Sequence, residues 1–233
     1  MDPTYTSSPA VSATDTERAF LAQVFGWMFL ALALTTGVAA YLNSTGDVNA
    51  YIDKHPMSIL ILFAVQIGLV LFLSFAMPRI SAGVATALFG LYAGTVGLTF
   101  AVIFAVYTTG SVVGAFAGAT GLFAGMATWG YVTKRDLSGW RGILFGALIG
   151  IIVASVANIW VGGGTLNLII GWGGVLVFSA LTAYDMQKIK EIGRAGFANE
   201  DDERKMAIFG ALSLYLDFIN LVISLLRIFG SSR

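Results

Sequence analysis

The chain has 233 residues, of which 57% are apolar and only 11% charged; 13 basic and 13 acidic residues cancel, and mean hydropathy is +0.83. A soluble domain carries about 25% charged residues, so a water-soluble globule is excluded, and the lack of a basic run argues against a nucleic-acid partner. With no Cys and a single His (His55), disulfides, thiolate chemistry and a metal site with two His ligands are excluded as well, which leaves a polytopic membrane protein.

Residues 1–18 are rich in Ser, Thr and Pro and read as a flexible cytosolic tail. The acid at Asp2 and the missing basic n-region argue against a signal peptide. Seven apolar segments follow, at about 20–42, 57–77, 80–106, 111–132, 141–161, 166–189 and 206–229. Crossing the hydrocarbon takes about 20 helical residues, and each segment is near or above that. Strands do not fit: the segments are too long and lack lipid/lumen alternation. The expected fold is all-α, a seven-transmembrane-helix bundle over residues 19–233. The longest connection, Glu191 to Lys205, contains AGFANEDDERK and reads as a solvated polar loop.

Lys and Arg set the expected orientation. Arg18, Arg79, Lys134, Arg135, Arg141, Lys188, Lys190, Arg194, Arg204 and Lys205 fall on one side, against Lys54, Arg227 and Arg233 on the other. The positive-inside rule places the amino terminus in the cytoplasm and the carboxyl terminus outside a cell (inner or plasma) membrane. Trp129, Tyr131, Trp140 and Trp160 lie near expected span ends and suit an aromatic belt. Glycines repeat at spacing four in Gly90/Gly94, Gly110/Gly114/Gly118, Gly121/Gly125 and Gly142/Gly146/Gly150, which predicts close helix packing along those faces.

Charge inside the spans is the exception that carries information. A carboxylate at mid-span costs about 2.5–3.5 kcal/mol on insertion scales. Two stand out, Asp185 in LTAYDMQKIK and Asp217 in SLYLDFINL. In the last segment Gly210, Ser213, Asp217, Asn220, Ser224 and Arg227 recur at spacing three and four and form one polar stripe on an otherwise apolar helix. Such a helix is expected to be surrounded by the others, its stripe facing a cavity or partner side chains. Ser213, Asn220, Ser224 and Arg227, with Thr182 beside Asp185, are the pore-lining candidates; Arg227 either snorkels outward or closes the outer end of the stripe. Counting from the connecting loop, Asp185 and Asp217 differ in depth by roughly 9 Å at 1.5 Å per residue, a gap that tilt can remove. If the two carboxyls meet, they share one proton and titrate in two separated steps. Loss or gain of a proton then loosens the helix pair, a pH-sensitive latch, and an ionised acid attracts cations such as Ca²⁺. The bland alternative is that each Asp is satisfied separately and serves packing.

Gln66, Thr95, Thr99, Ser155 and Asn158 are expected to form interhelical hydrogen bonds. His55, next to Asp53 and Lys54, reads as a solvated loop residue.

AQVFGWMFLALALTTGVAAY, GYVTKRDLSGWRGILFGALIG, LTAYDMQKIK and GALSLYLDFINLVISLLRIFG together resemble the Bax inhibitor (transmembrane Bax inhibitor motif) family, its bacterial members above all, over roughly residues 18–233. The resemblance implies a seven-helix bundle with the last helix central. It also implies a passive, pH-sensitive Ca²⁺ leak with a paired-aspartate latch, here Asp185 and Asp217, which would also meet Ca²⁺ transiently. No cofactor is expected. The second span offers only the neutral Gln66 where some members carry an acid, so no acid–base contact is carried over there. Family links to cell-death suppression are eukaryotic and are not transferred. Some bacterial relatives are linked to control of membrane proteolysis.

Three functions compete on these residues: a cation leak channel, a non-conducting regulator of a membrane protease or other membrane complex, and an intramembrane aspartyl protease. The protease reading fits Tyr184–Asp185 but fails at Asp217, which follows Leu214, Tyr215 and Leu216 instead of Gly-x-Gly; a Pro-Ala-Leu motif is also missing. The expectation is no enzyme. The expected partners are the lipid bilayer, Ca²⁺ as the transported ion and a membrane protease complex, with no nucleic acid. A retinal protein is excluded because the seventh segment holds no Lys for a Schiff base.

Overall fold

The computed structural model describes residues 13–46, 48–55 and 57–232, and residues 1–12 of the expected tail and Arg233 lie outside them. Among these residues eight α-helices follow in order: α1 (Ala13–Thr45), α2 (Val48–Lys54), α3 (Met57–Ala76), α4 (Ala82–Val106), α5 (Thr109–Val132), α6 (Arg141–Val161), α7 (Gly164–Ala195) and α8 (Glu200–Phe229). Seven of them are long and apolar enough to cross a membrane; α2 is a short helix between α1 and α3. His55 follows α2 and is exposed.

Local chemistry explains the boundaries. Ser81 and Thr108 cap α4 and α5 by accepting the amides of Val84 and Ser111. The tight connection from α3 to α4 is a 3-10 turn at Met77–Arg79, with Pro78 at its start. Gly162 ends α6 with φ of 64°, a left-handed cap that glycine takes without steric penalty.

Two ends depart from the sequence reading. The segment expected as tail is helical from Ala13, and Glu17 is buried. The polar loop expected from Glu191 to Lys205 shrinks to residues 196–199, because α7 continues to Ala195 and α8 starts at Glu200. Asn199 caps α8, and Glu200, Asp201, Asp202 and Glu203 fill its first turn, where carboxylates oppose the helix dipole. At 1.5 Å per residue, α1, α7 and α8 are each more than 40 Å long, against a hydrocarbon core of about 30 Å. Their surplus meets at one end, in a polar collar described below.

The last helix is the core. α8 has 15 buried residues, whereas α3 buries only Leu73 and α6 only Leu144. Its main neighbours are α1, α4, α5 and α7; α3 leans on α4, and α6 on α7. Phe100, Phe116, Phe218 and Phe123 link α4, α5 and α8 with ring centroids 5.7–6.1 Å apart. At the far end, the Thr108 amide donates to Ser231 O at 3.0 Å, so the chain end is strapped to the α4–α5 corner.

Close backbone approach occurs at glycines other than the repeated ones. A Cβ on Gly130 would overlap the Ala183 carbonyl oxygen of α7, and one on Gly97 would lie 2.9 Å from Thr35 O of α1. By contrast Gly90, Gly94, Gly121, Gly125, Gly142, Gly146 and Gly150 have nothing within 4 Å of a Cβ, as do Gly110 and Gly114. Only Gly118 of the repeated series meets a neighbour, Leu225 at 3.2 Å. The expectation that those series mark tight packing therefore fails in the single chain.

Polar contacts tie the helices where the sequence pointed and also where it did not. Gln66 Nε2 donates to Thr95 O at 2.9 Å and to Thr99 Oγ1 at 2.8 Å, joining α3 to α4 as expected. Thr35 Oγ1 donates to Ala93 O at 3.0 Å and lies 2.6 Å from the Tyr215 hydroxyl, so α1, α4 and α8 share one buried polar knot. Tyr215→Phe keeps the edge contacts to Phe89 and Tyr92 and deletes only the hydroxyl. The substitution is expected to cost about 1 kcal/mol in a reversible unfolding titration in micelles. An unchanged midpoint would show that the knot contributes nothing.

Candidate functional site

The polar stripe of α8 faces α7. Gly210 lies against Ile189, with their nearest approach 3.2 Å from a Cβ built on the glycine. Two turns past Asp217, Ser224 packs onto Gly174, and Arg227 and Ile228 pack onto Gly171. A side chain on either of those α7 glycines would collide, which is why glycine stands there. This antiparallel register sets Asp217 level with Leu181 and Thr182. Asp185 falls about one turn nearer the loop, roughly 5 Å along the axis at 1.5 Å per residue. The register, rather than the count from the loop, fixes the depth, and the offset is smaller than the sequence suggested.

Asp217 is 4% exposed, and its Oδ2 is buried without a hydrogen-bond partner. Asp185 is half-buried, close enough for its charge to act on Asp217. Lys188, one turn on, is the cation that acts on Asp185; its ammonium sits 5.8 Å from the Phe209 ring centre. The structure thus brings the two acids into one seam, about one turn apart along its axis. A lone buried carboxylate oxygen is costly, and here no Arg, Lys or hydroxyl satisfies it.

The remaining stripe residues are held as packing groups. Thr182 is buried and donates to Phe178 O at 2.7 Å. Asn220 donates to Leu216 O at 2.8 Å within α8. Ser224 is buried, and Ser213 and Arg227 are half-buried. Along these residues the stripe is a packed helix–helix seam. Among the described residues no three or more His, Cys, Asp or Glu side chains are arranged so that they could hold a metal ion. Ca²⁺ takes 6–8 oxygen ligands, so two carboxylates suit an ion in passage better than a resident one.

Sequence reasoning missed the polar collar at the loop end of the bundle. Arg194 Nε donates to Glu17 Oε2 at 2.6 Å, pinning α7 to α1. Tyr131 and Lys190 stand beside the same carboxylate, and the Lys190 ammonium donates to the Tyr131 carbonyl and lies 4.8 Å from that ring's centre. Gln23 Nε2 donates to Glu203 Oε1 at 2.8 Å, from α1 to α8. The signal for Glu17 was present: it shares helical phase with the buried Phe20, Leu21, Val24, Met28, Ala31 and Thr35.

The α5–α6 loop is fixed to α7 by one side chain. Gln187 Oε1 accepts the Leu137 amide at 2.9 Å and Gln187 Nε2 donates to Arg135 O at 2.8 Å. Within the loop, Asp136 Oδ1 accepts the Ser138 amide at 2.8 Å, which holds the Asp136 carboxyl below the usual carboxylate range. Because the folded-state value is depressed, this contact is present at neutral pH and is lost as pH falls through that lowered value. Asp136→Ala is expected to lower the exchange protection of the Ser138 amide already at neutral pH. Equal protection in the two proteins would refute that role for the carboxylate.

Comparison with known proteins places this architecture. The profile of the family described as "Inhibitor of apoptosis-promoting Bax1" matches residues 17–233. The chain is 44% identical over 217 residues to the inner membrane protein YbhL of Escherichia coli, covering 93% of each. It is 42% identical over 220 residues to an uncharacterized protein of Deinococcus radiodurans, covering 94% of this chain and 93% of the other. With an uncharacterized membrane protein of Streptococcus pyogenes it shares 41% identity over 162 residues, 70% of each chain.

Proposed function

This chain belongs to the Bax inhibitor family of membrane proteins, and on that premise we propose that it is a pH-sensitive calcium (cation) leak channel gated by Asp185 and Asp217. One observation carries the reading: Asp217 is buried in the α7–α8 seam with an unpartnered oxygen, and the charge of Asp185 reaches it. A purely structural acid would have been given partners. An unpaired acid beside a second acid makes the seam sensitive to each proton taken up or released, since the like-charge repulsion appears or vanishes with it. The seam joins the central helix to its neighbour, so loosening it opens a path along the stripe of Ser213, Asn220, Ser224 and Arg227, with Thr182 facing it. Ca²⁺ is cargo here, and its choice as the ion follows from the family resemblance. No cofactor enters this reading, and no catalytic step.

On this reading the amino terminus lies in the cytoplasm and the carboxyl terminus outside. The support is the Lys and Arg excess at the collar end and the odd number of spanning helices. A second reading, a non-conducting regulator of a membrane protease or other complex, is favoured by the bare Gly142, Gly146 and Gly150 face of α6, which leaves room for a partner helix.

The test is Ca²⁺ flux from liposomes reconstituted with the pure protein and followed across pH. Flux above empty liposomes, varying with pH, is expected. Flux equal to that of empty liposomes sinks the channel, and copurification with a protease complex without flux favours the regulator.

A further inference from the structure

We propose that the cleft between the collar ends of α5 and α7 binds the phosphate group of an anionic phospholipid. The cleft has a volume of about 380 Å³ and is lined by Lys134, Lys190 and Arg194, with Gln187 and Glu191. Three cations against one carboxylate leave a positive surplus, and the Glu17 contact to Arg194 reduces it without cancelling it. Each cation keeps donors for a ligand. Arg194 engages Glu17 through Nε, which leaves its two terminal nitrogens, and an ammonium has three N–H donors, of which Lys190 directs one at Tyr131 O. Lys134 is exposed. A guanidinium fork beside two ammonium groups matches phosphate oxygens.

The wall is rigid before any ligand arrives. The Gln187 bonds to Arg135 O and the Leu137 amide hold the segment carrying Lys134 against α7, so little order has to be created on binding. Depth selects the lipid over a free anion. Trp129 and Trp140, with ring centroids 6.2 Å apart, sit at this end of the bundle, where indole rings mark the headgroup level. Val132, also in the lining, is 61% exposed and offers apolar surface for the adjoining acyl chain. Basic pockets between spanning helices at this depth suit acidic headgroups. The proposal does not rest on the leak reading, and its readout is lipid retention rather than flux.

The test is native mass spectrometry of the full-length protein in micelles, titrated with phosphatidylglycerol or with phosphatidylcholine of the same chains. Wild type is expected to retain phosphatidylglycerol preferentially. Lys134→Glu, at an exposed position, is expected to weaken that retention by about fivefold or more, and Lys134→Arg to preserve it. Equal retention of the two lipids by wild type, or undiminished phosphatidylglycerol retention by Lys134→Glu, overturns the proposal. Inorganic phosphate is the second probe. Retention unaffected by millimolar phosphate supports the lipid as ligand; displacement by it overturns that assignment in favour of a free anion.

Discussion

Asp217→Asn is expected to abolish the pH dependence of Ca²⁺ leak through the reconstituted protein while leaving the bundle folded. Asn has nearly the shape and volume of Asp, so the packing of α8 against α7 is kept. What disappears is the one fully buried ionisable carboxyl in the seam, whose Oδ2 has no partner. Its neighbour Asp185 then titrates alone, without the repulsion that couples the two. In wild type, each proton bound differentially by the open and closed states shifts the gate by up to about tenfold per pH unit. In Asp217→Asn the leak should vary by less than about twofold across the range where wild type responds. Asp185→Asn should also flatten the response, since it removes the other half of the pair. A wild-type pH profile in Asp217→Asn would remove this residue from the gate. The unfolding midpoint of the variant should equal or exceed that of wild type, because no favourable contact of the carboxylate is lost.

The second large effect is structural. Gly130→Ala adds a methyl that would overlap the Ala183 carbonyl oxygen and lie 2.8 Å from the Ala183 Cα. The obstacle is backbone in the middle of α7, so no rotamer change relieves it. The helices must separate, and overpacking of this kind costs about 1–3 kcal/mol and sometimes more. Because α5 and α7 both border α8, the strain reaches the core. Gly142→Ala is the matched control: the same methyl meets nothing within 4 Å, and alanine favours the helix. Folded yield in mild detergent should drop severalfold for Gly130→Ala and hold or rise for Gly142→Ala. Equal behaviour of the two would refute the α5–α7 contact.

The contrast between those glycines marks the limit of sequence reading. Spacing four identifies glycines that share a helix face but not whether a neighbour covers that face. Gly130, Gly171 and Gly174, which do carry close interhelical contacts, belong to none of the spacing-four series singled out from the sequence. The spans themselves were legible because each is a long apolar run, and the central place of the last helix because Asp217, Asn220 and Ser224 had to be hidden from lipid. The collar was not, because polarity beyond the membrane reads as loop. There helical phase, not hydropathy, distinguishes the buried Glu17 from its solvated neighbours. Both aspartates of the candidate site were legible for the opposite reason, as charge where apolar residues are the rule. Their spacing in the seam was not, since register depends on Gly171 and Gly174 admitting Arg227 and Ser224.

That the helix touching α1, α4, α5 and α7 follows all four of them in sequence bears on biogenesis. Synthesis delivers the amino-terminal segments first. Once α1 to α7 are in the membrane, α1 can pack on α4 and α5 on α7, but the surface that these four share on α8 is still missing. The intermediate of six spans is therefore a set of paired helices around an unfilled centre, and its consolidation waits for α8. A premature stop anywhere before Glu200 removes the shared surface of four helices in one event, which makes such truncated chains natural clients of membrane quality control.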